Sequence, residues 1–152
     1  MKRVYSFCLV FLTLFFISCE KKDIKESLLG KWQRSDALQP GGLMRKAYIF
    51  EADGTYIDKI DFFGFNGNSI DELTSWILTT GKFKIESDSL FLFAEERTSW
   101  DKDFNSVQQK ERLNNNLFQS KIKVTKSTMV LDYLSYPADA PVQTRISYKK
   151  VY

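Results

Sequence analysis

Histidine is absent from the sequence, and its absence narrows the chemistry open to the chain. Without histidine, neither the Ser-His-Asp and Cys-His arrangements of nucleophilic catalysis nor the usual histidine-ligated zinc sites can form. Carboxylates remain, but the adjacent pairs Asp71-Glu72 and Glu95-Glu96 cannot easily share a substrate, because neighbouring strand residues point to opposite faces. We therefore expect a protein that is not an enzyme and that holds no cofactor.

Cysteine is scarce as well, since Cys8 and Cys19 are the only two in the chain. Cys8 lies in an apolar run, residues 7–17, which follows two basic residues and precedes the small residue Ser18. This order is typical of a secretory signal, and the run is well short of the roughly 20 apolar residues that span a bilayer. Residues 1–18 are therefore predicted to be a cleaved signal peptide rather than a transmembrane helix.

Cys19 directly follows Ser18, and this pair resembles the end of the lipobox in bacterial lipoprotein precursors. The resemblance implies that Cys19 is acylated and becomes the mature N-terminus, although Phe16 stands where that family usually has leucine. Several acyl chains together tether a protein firmly to a membrane. Glu20 is not the aspartate that retains such proteins at the inner membrane of enteric bacteria, which favours the outer membrane. The alternative is an ordinary cleaved signal that leaves an unpaired thiol at Cys19.

Positive charge is only slightly in excess. The formal charge of the whole chain is +3, and it falls to +1 when Lys2 and Arg3 leave with the signal. A mature chain so close to neutrality indicates no nucleic acid or other polyanion as a partner. Residues 19–27 are predicted to be the lipidated N-terminus and a linker, whose three lysines are interpreted as solvated.

Residues 28–152 are predicted to form one domain, in which apolar and polar side chains alternate. Ile122 and Val124 alternate with lysines, and a period of two is typical of strands with one wet face. The strongest hairpin signal is Asp53-Gly54, which lies between aromatic and β-branched runs. Eight strands are predicted, at residues 30–35, 45–51, 55–62, 75–85, 89–95, 117–125, 128–134 and 144–152.

Consecutive strands joined by tight turns make an antiparallel up-and-down meander, and the edges of such a sheet need protection. Closure into a barrel of about eight strands removes the edges, so an all-β barrel is predicted, with a β-sandwich as the alternative. A barrel of this size is filled by side chains or holds one small ligand. Aromatic residues in the predicted strands supply bulk for its core: Tyr48, Phe50, Tyr56, Phe62, Phe83, Phe91, Phe93, Phe118, Tyr133 and Tyr148.

Four segments follow one another along the chain: LLGKW at residues 28–32, YIFEADGTY, GKFKIESDSLFLF and ISYKKV. Together they resemble the small lipocalin-like domains of many bacterial lipoproteins, in which Gly30 and Trp32 match the Gly-x-Trp that opens the barrel. The resemblance implies that Trp32 closes one end of the barrel and that a basic side chain from the last strand packs over it. Arg145 is predicted for this role, with Lys149 behind it. The resemblance also implies the binding of small apolar molecules.

Long connections are predicted at the end of the barrel opposite Trp32, at residues 36–44, 63–74, 96–116 and 135–143. A helical turn capped by Ser69 and a short helix within the third connection are also expected. The candidate ligand-binding residues at this open end are Phe65, Trp76, Trp100 and Tyr136.

Two functions from different classes remain at this point. The first is a membrane-anchored lipocalin-like protein that binds a small apolar or amphipathic molecule. The second is a structural lipoprotein of the cell envelope with a filled barrel, which contacts a protein partner through its loops or outer face. A cavity of some hundreds of cubic ångströms inside the barrel favours the first, because ligand pockets have such volumes.

A calcium site is the remaining motif to test. Asp101, Asp103 and Asn105 match the first three ligand positions of a calcium loop. An EF-hand also needs glycine at its sixth position and glutamate at its twelfth, where this chain has Ser106 and Arg112. No metal site is therefore expected.

Overall fold

The computed structural model describes residues 23–39, 41–66, 69–104, 108–137 and 140–152. The predicted signal peptide and Cys19 lie outside these residues. Within them, one short helix precedes eight strands: α1 (Asp23–Leu28), β1 (Gly30–Ala37), β2 (Leu43–Phe50), β3 (Thr55–Asn66), β4 (Ser69–Glu86), β5 (Ser89–Asp101), β6 (Gln109–Val124), β7 (Thr128–Ser135) and β8 (Val142–Val151).

The strands form a closed barrel in which each strand pairs antiparallel with the next one along the chain. Closure comes from β8 and β1, which pair antiparallel through Lys31↔Val151, Trp32↔Lys150 and Gln33↔Lys149. The prediction of an eight-stranded up-and-down barrel is confirmed, and the β-sandwich alternative is excluded. Closure matters because an open antiparallel sheet would leave the backbone groups of its edge strands without partners.

Two of the predicted long connections are wrong, because the strands extend through them. β3 and β4 remain paired as far as Asn66↔Ser69, so Ser69 begins a strand and does not cap a helical turn. β5 and β6 remain paired as far as Ser99↔Gln109, with no helix among the described residues between these strands. The sequence QKER at the start of β6 has no apolar side chain, so the pattern that signals a strand is absent there. Cross-strand backbone hydrogen bonds hold these hairpins extended.

The tight turns lie together at one end of the barrel, as predicted. They join β2 to β3, β4 to β5 and β6 to β7, and antiparallel pairing brings these three connections to the same end. At the first turn the Asp53 carboxylate accepts hydrogen bonds from the Thr55 backbone N–H, at 2.9 Å, and from its hydroxyl, at 2.7 Å. Gly54 there has a φ of 89°, a conformation that glycine adopts without strain. We call this end of the barrel the closed end.

Trp32 is fully buried at the closed end, which confirms the prediction of its burial. Its indole Nε1 donates a hydrogen bond of 2.6 Å to the carbonyl oxygen of Leu28, the last residue of α1. Leu28 is itself fully buried, so the helix contributes to the closure of the barrel. The other large side chains buried to the same degree among the described residues belong to one core cluster with Trp32 and Leu28: Phe50, Leu90, Met129 and Leu131.

The cation that covers Trp32 is Lys150, and the prediction of Arg145 is wrong. Lys150 Nζ lies 5.0 Å from the centroid of the Trp32 ring and donates a 3.3 Å hydrogen bond to the Ser27 carbonyl oxygen. The cause is strand alternation. Lys150 is directly opposite Trp32 in the β1–β8 pairing, whereas Arg145 is five positions before Lys150 and so lies on the other face of β8. Arg145 therefore points outwards and forms an ion pair of 3.2 Å with Asp132.

Candidate functional site

The barrel interior above the Trp32 layer is not filled, and it contains a cavity of about 420 Å³. β1 runs from the closed end towards the open end, so Arg34, two residues after Trp32, is the next side chain on the inner face. Arg34 lines the cavity, as do Tyr48 and Tyr148 from the neighbouring strands β2 and β8. The cavity therefore begins directly next to the buried residues around Trp32, on the side that faces the open end.

The charged residues that line the cavity all come from β1 to β5, where they lie among apolar side chains such as Ile60 and Leu92. We call this side of the cavity the polar wall. Arg34 pairs across strands with Lys46, Asp58 pairs with Thr79, and Thr79 pairs with Arg97. All five side chains line the cavity, and each comes from a different strand. The register therefore brings together three cations and one carboxylate that are widely separated in the sequence.

The opposite wall is mainly apolar and comes from β6 to β8. Phe118, Leu131, Tyr133 and Ile146 line it, and they lie on successive strands of the barrel. The rings of Phe118 and Tyr133 meet edge to face with centroids 5.0 Å apart, a favourable aromatic geometry. A cavity with one polar and one apolar wall suits a molecule that itself has a polar and an apolar part.

Two ion pairs order the polar wall. Arg34 Nη2 lies 2.5 Å from Asp36 Oδ2, and Lys46 Nζ lies 3.1 Å from Asp58 Oδ2. Burial raises the pKa of Asp58, while Lys46, Tyr48 and Arg97 act in the opposite direction and only partly offset it. The other carboxylate oxygen, Asp58 Oδ1, is buried and has no hydrogen-bond partner among the described residues. It is therefore an acceptor in the wall of the cavity that is ready for a donor.

Tyrosine hydroxyls surround the polar wall. Burial raises the pKa of Tyr56 to about 12. Burial is also the largest cause of the raised pKa values of Tyr48 and Tyr148. All three phenols consequently stay protonated at neutral pH and present O–H donors.

The four aromatic residues predicted to bind ligand lie away from this cavity. Trp76 and Trp100 are paired across β4 and β5, and each is three positions from a cavity residue, Thr79 or Arg97, and so on the opposite strand face. They line a second cavity of about 300 Å³ together with Phe104. The other two predicted residues are exposed: Phe65 lies near the end of β3, and Tyr136 lies just after β7.

The polar wall was missed by sequence reasoning, although a signal was present. In β2 the side chains of Lys46, Tyr48 and Phe50 share one face, and in β3 Asp58 shares a face with Tyr56. A charged side chain on the same strand face as the core residues is buried on folding, and its burial costs free energy unless the charge is paired. Such a residue therefore indicates an ion pair or a functional site. Searching the predicted strands for charges on the apolar face would have selected Lys46 and Asp58.

The acidic loop shows no metal site in the described part of the chain. The backbone N–H of Asp103 donates a 2.9 Å hydrogen bond to Asp101 Oδ1, which closes a local turn. Asn105 and Ser106 lie outside the described residues, and Arg112 belongs to β6, opposite Glu96. Among the described residues, no three potential metal ligands of the types histidine, cysteine, aspartate and glutamate lie close enough together to hold an ion.

The described residues contain no helix that is both long and apolar enough to cross a bilayer. A scan against models of protein families and a search of curated proteins both found no match for this chain.

Proposed function

We propose that this chain is a lipid-anchored, lipocalin-like binding protein of the cell envelope, and that it carries one small amphipathic molecule inside its barrel. The observation that carries the proposal is the cavity of about 420 Å³, which lies within the usual range for ligand pockets. No catalytic step belongs to this function, and the ligand leaves the barrel unchanged.

The division of the cavity into two walls supports an amphipathic rather than a purely apolar ligand. A purely apolar molecule would bury Lys46 and Asp58 further without replacing their lost hydration, which costs free energy. A molecule with a polar group can offer a donor to Asp58 Oδ1, while its apolar part lies against Phe118 and Ile146. The chemistry of the lining therefore selects against simple hydrocarbons.

The proposed lipid anchor rests on the resemblance of residues 1–19 to lipoprotein precursors, and the position of α1 is compatible with it. Cys19 precedes Asp23, the first residue of α1, by four residues, and α1 covers the closed end through Leu28. Acyl chains on Cys19 then hold the closed end towards the membrane, and Glu20 favours the outer membrane over the inner one. This arrangement leaves the opposite end of the barrel free to exchange ligand.

A cavity-filling substitution tests the binding function. Ile146 points into the cavity, whereas the next residue, Ser147, is exposed on the outer face of β8. The lipidated protein purified from its own cells should show a bound small molecule in native mass spectrometry. Ile146→Trp should abolish the added mass, because the indole occupies the cavity, and the matched control Ser147→Trp should retain it. The same bound mass in both variants, or no bound molecule in the unmodified protein, would contradict a ligand site inside the barrel.

A protein-interaction lipoprotein is the second candidate function, and one observation favours it. Large apolar side chains are exposed at the open end, on the strand ends and connections of the β3–β4, β5–β6 and β7–β8 hairpins: Phe65, Ile70, Phe104, Leu134, Tyr136 and Val142. Exposed apolar groups that recur at one end of a molecule are typical of contact surfaces. Replacing Phe65 and Phe104 together by serine should then release an envelope partner without changing ligand retention. The partner would be identified by crosslinking in intact cells.

A further inference from the structure

We infer that the ligand carries a single negative charge, and that Arg97 is the residue that binds it. The inference rests on the proposed binding function and adds the electrostatic class of the ligand. The charged side chains that face the cavity support this inference. The cations outnumber the carboxylates that pair with them, and the unpaired positive charge belongs to one residue.

The balance of charge is set by three cations, Arg34, Lys46 and Arg97. Asp36 neutralises Arg34, and Asp58 neutralises Lys46, each through a direct ion pair. Arg97 forms no ion pair with any residue that the structure describes, so one positive charge remains at the cavity. Glu111 lies directly opposite Arg97 in the β5–β6 pairing, on the exposed part of that hairpin.

Arg97 is also accessible, which places the charged group of the ligand near an opening. Arg97 and Leu117 both line the cavity and are both exposed to solvent. Between them the β5–β6 pairing is irregular, because Ala94↔Asn116 is followed by Glu96↔Arg112, so that β6 carries extra residues opposite β5. Such a bulge locally disrupts the ladder between the two strands. The charged group of a bound ligand therefore lies on the side of the cavity where solvent reaches Arg97.

The neighbouring donors complete an anion site. Lys46 and the hydroxyl of Tyr148 offer further N–H and O–H groups, and burial raises the pKa of Tyr148, which keeps its proton at neutral pH. Hydrogen bonds from charged donors to an anion are about twice as strong as neutral ones. The rest of the ligand lies on the Phe118 and Ile146 side, which has no charge. The ligand class is therefore a monoanionic amphiphile.

Two fluorescent probes that differ only in charge test this inference. 8-Anilinonaphthalene-1-sulfonate is a monoanion, and N-phenyl-1-naphthylamine has the same aromatic skeleton without the sulfonate. Both are titrated into mature chain carrying Cys19→Ser, so that neither acyl chains nor detergent compete for the probes. The variants are Arg97→Gln, Arg97→Lys and, as a matched control on the outer face of the barrel, Arg145→Gln.

The sulfonate should bind about tenfold more tightly than the neutral probe, the effect of one partly exposed charged hydrogen bond. Arg97→Gln should remove that preference and leave the affinity for the neutral probe unchanged. Arg97→Lys should restore part of the preference, and Arg145→Gln should preserve it fully. Ile146→Trp should abolish the binding of both probes, which locates them in the cavity.

The remaining outcomes would refute either the anion site or the proposed binding function. Equal affinity for the two probes, or an unchanged preference in Arg97→Gln, would refute the anion site and leave the binding function standing. Equal losses in Arg97→Gln and Arg145→Gln would show a general effect of surface charge and would also refute it. Binding of neither probe, or binding that Ile146→Trp does not affect, would refute the proposed function itself.

Discussion

Replacing Trp32 by alanine should destabilise the barrel more than replacing either of the other tryptophans, Trp76 or Trp100. Trp32 is fully buried, whereas Trp76 and Trp100 are only half-buried on a hairpin. Truncation of a buried aromatic side chain to alanine costs about 3 to 5 kcal/mol, part of it for the cavity left behind. Two polar contacts are lost as well, the hydrogen bond to the Leu28 oxygen and the interaction with Lys150.

A second substitution separates packing from hydrogen bonding. Trp32→Phe keeps an aromatic ring under Lys150 but leaves the Leu28 carbonyl without its indole donor. A buried acceptor that loses its donor costs about 1 to 3 kcal/mol, to which the smaller volume of phenylalanine adds a packing loss. Trp32→Phe should therefore be less destabilising than Trp32→Ala. Trp100→Ala, the matched control, should be the mildest of the three.

Urea unfolding followed by far-ultraviolet circular dichroism measures these differences without depending on tryptophan fluorescence. With a slope of about 2 kcal/mol per molar urea, a loss of 4 kcal/mol moves the midpoint down by about 2 M. A loss for Trp32→Ala below about 1 kcal/mol would refute the role of Trp32 in closing the barrel, because surface substitutions have effects of that size. Equal losses for Trp32→Ala and Trp100→Ala would do the same.

Two further predictions concern Asp58 and Cys19. Because burial raises the folded-state pKa of Asp58, the folded state binds more protons between the unfolded and the folded pKa, and the free energy of unfolding falls as pH rises through that interval. The free energy of unfolding is measured by urea titration from about pH 4 to pH 7, and Asp58→Asn should lack this decrease. The same pH dependence in both proteins would contradict the assignment of the decrease to Asp58. Cys19→Ala should abolish acylation and leave an uncleaved precursor or a soluble form, as judged by membrane fractionation and intact mass. Normal processing and membrane retention of Cys19→Ala would contradict the lipoprotein prediction.

Part of this fold is readable from local sequence. Asp53-Gly54 makes a tight turn because glycine adopts positive φ without strain and the aspartate accepts hydrogen bonds from Thr55. The alternation of Ile122 and Val124 with lysines indicates a strand with one buried face. These signals depend on residues a few positions apart, so they identify strands and the order of the meander without reference to the rest of the chain, whereas the position of Trp32 at the closed end was implied by the lipocalin resemblance.

The hairpin extensions are not readable in this way. The start of β6, QKER, lacks an apolar face, and it is a strand only because it pairs with β5. Likewise, Trp76 and Trp100 were assigned to a ligand site from their aromatic character and their place beside the predicted long connections. Their pairing across β4 and β5 sets them on the strand face opposite to Thr79 and Arg97. Local composition carries no information on either point.

The sequence by itself determined an antiparallel meander of about eight strands that begins near Gly30, while closure into a barrel rather than a sandwich is visible only in the pairing of β8 with β1. The tertiary structure alone decided that Lys150 rather than Arg145 covers Trp32, because the choice depends on the register of β8 against β1, and these strands are far apart in the chain. It also decided the content of the cavity. Arg34, Lys46, Asp58 and Arg97 become neighbours only when the register of four strand pairings is set, and a shift of one residue in any strand would turn its charge outwards.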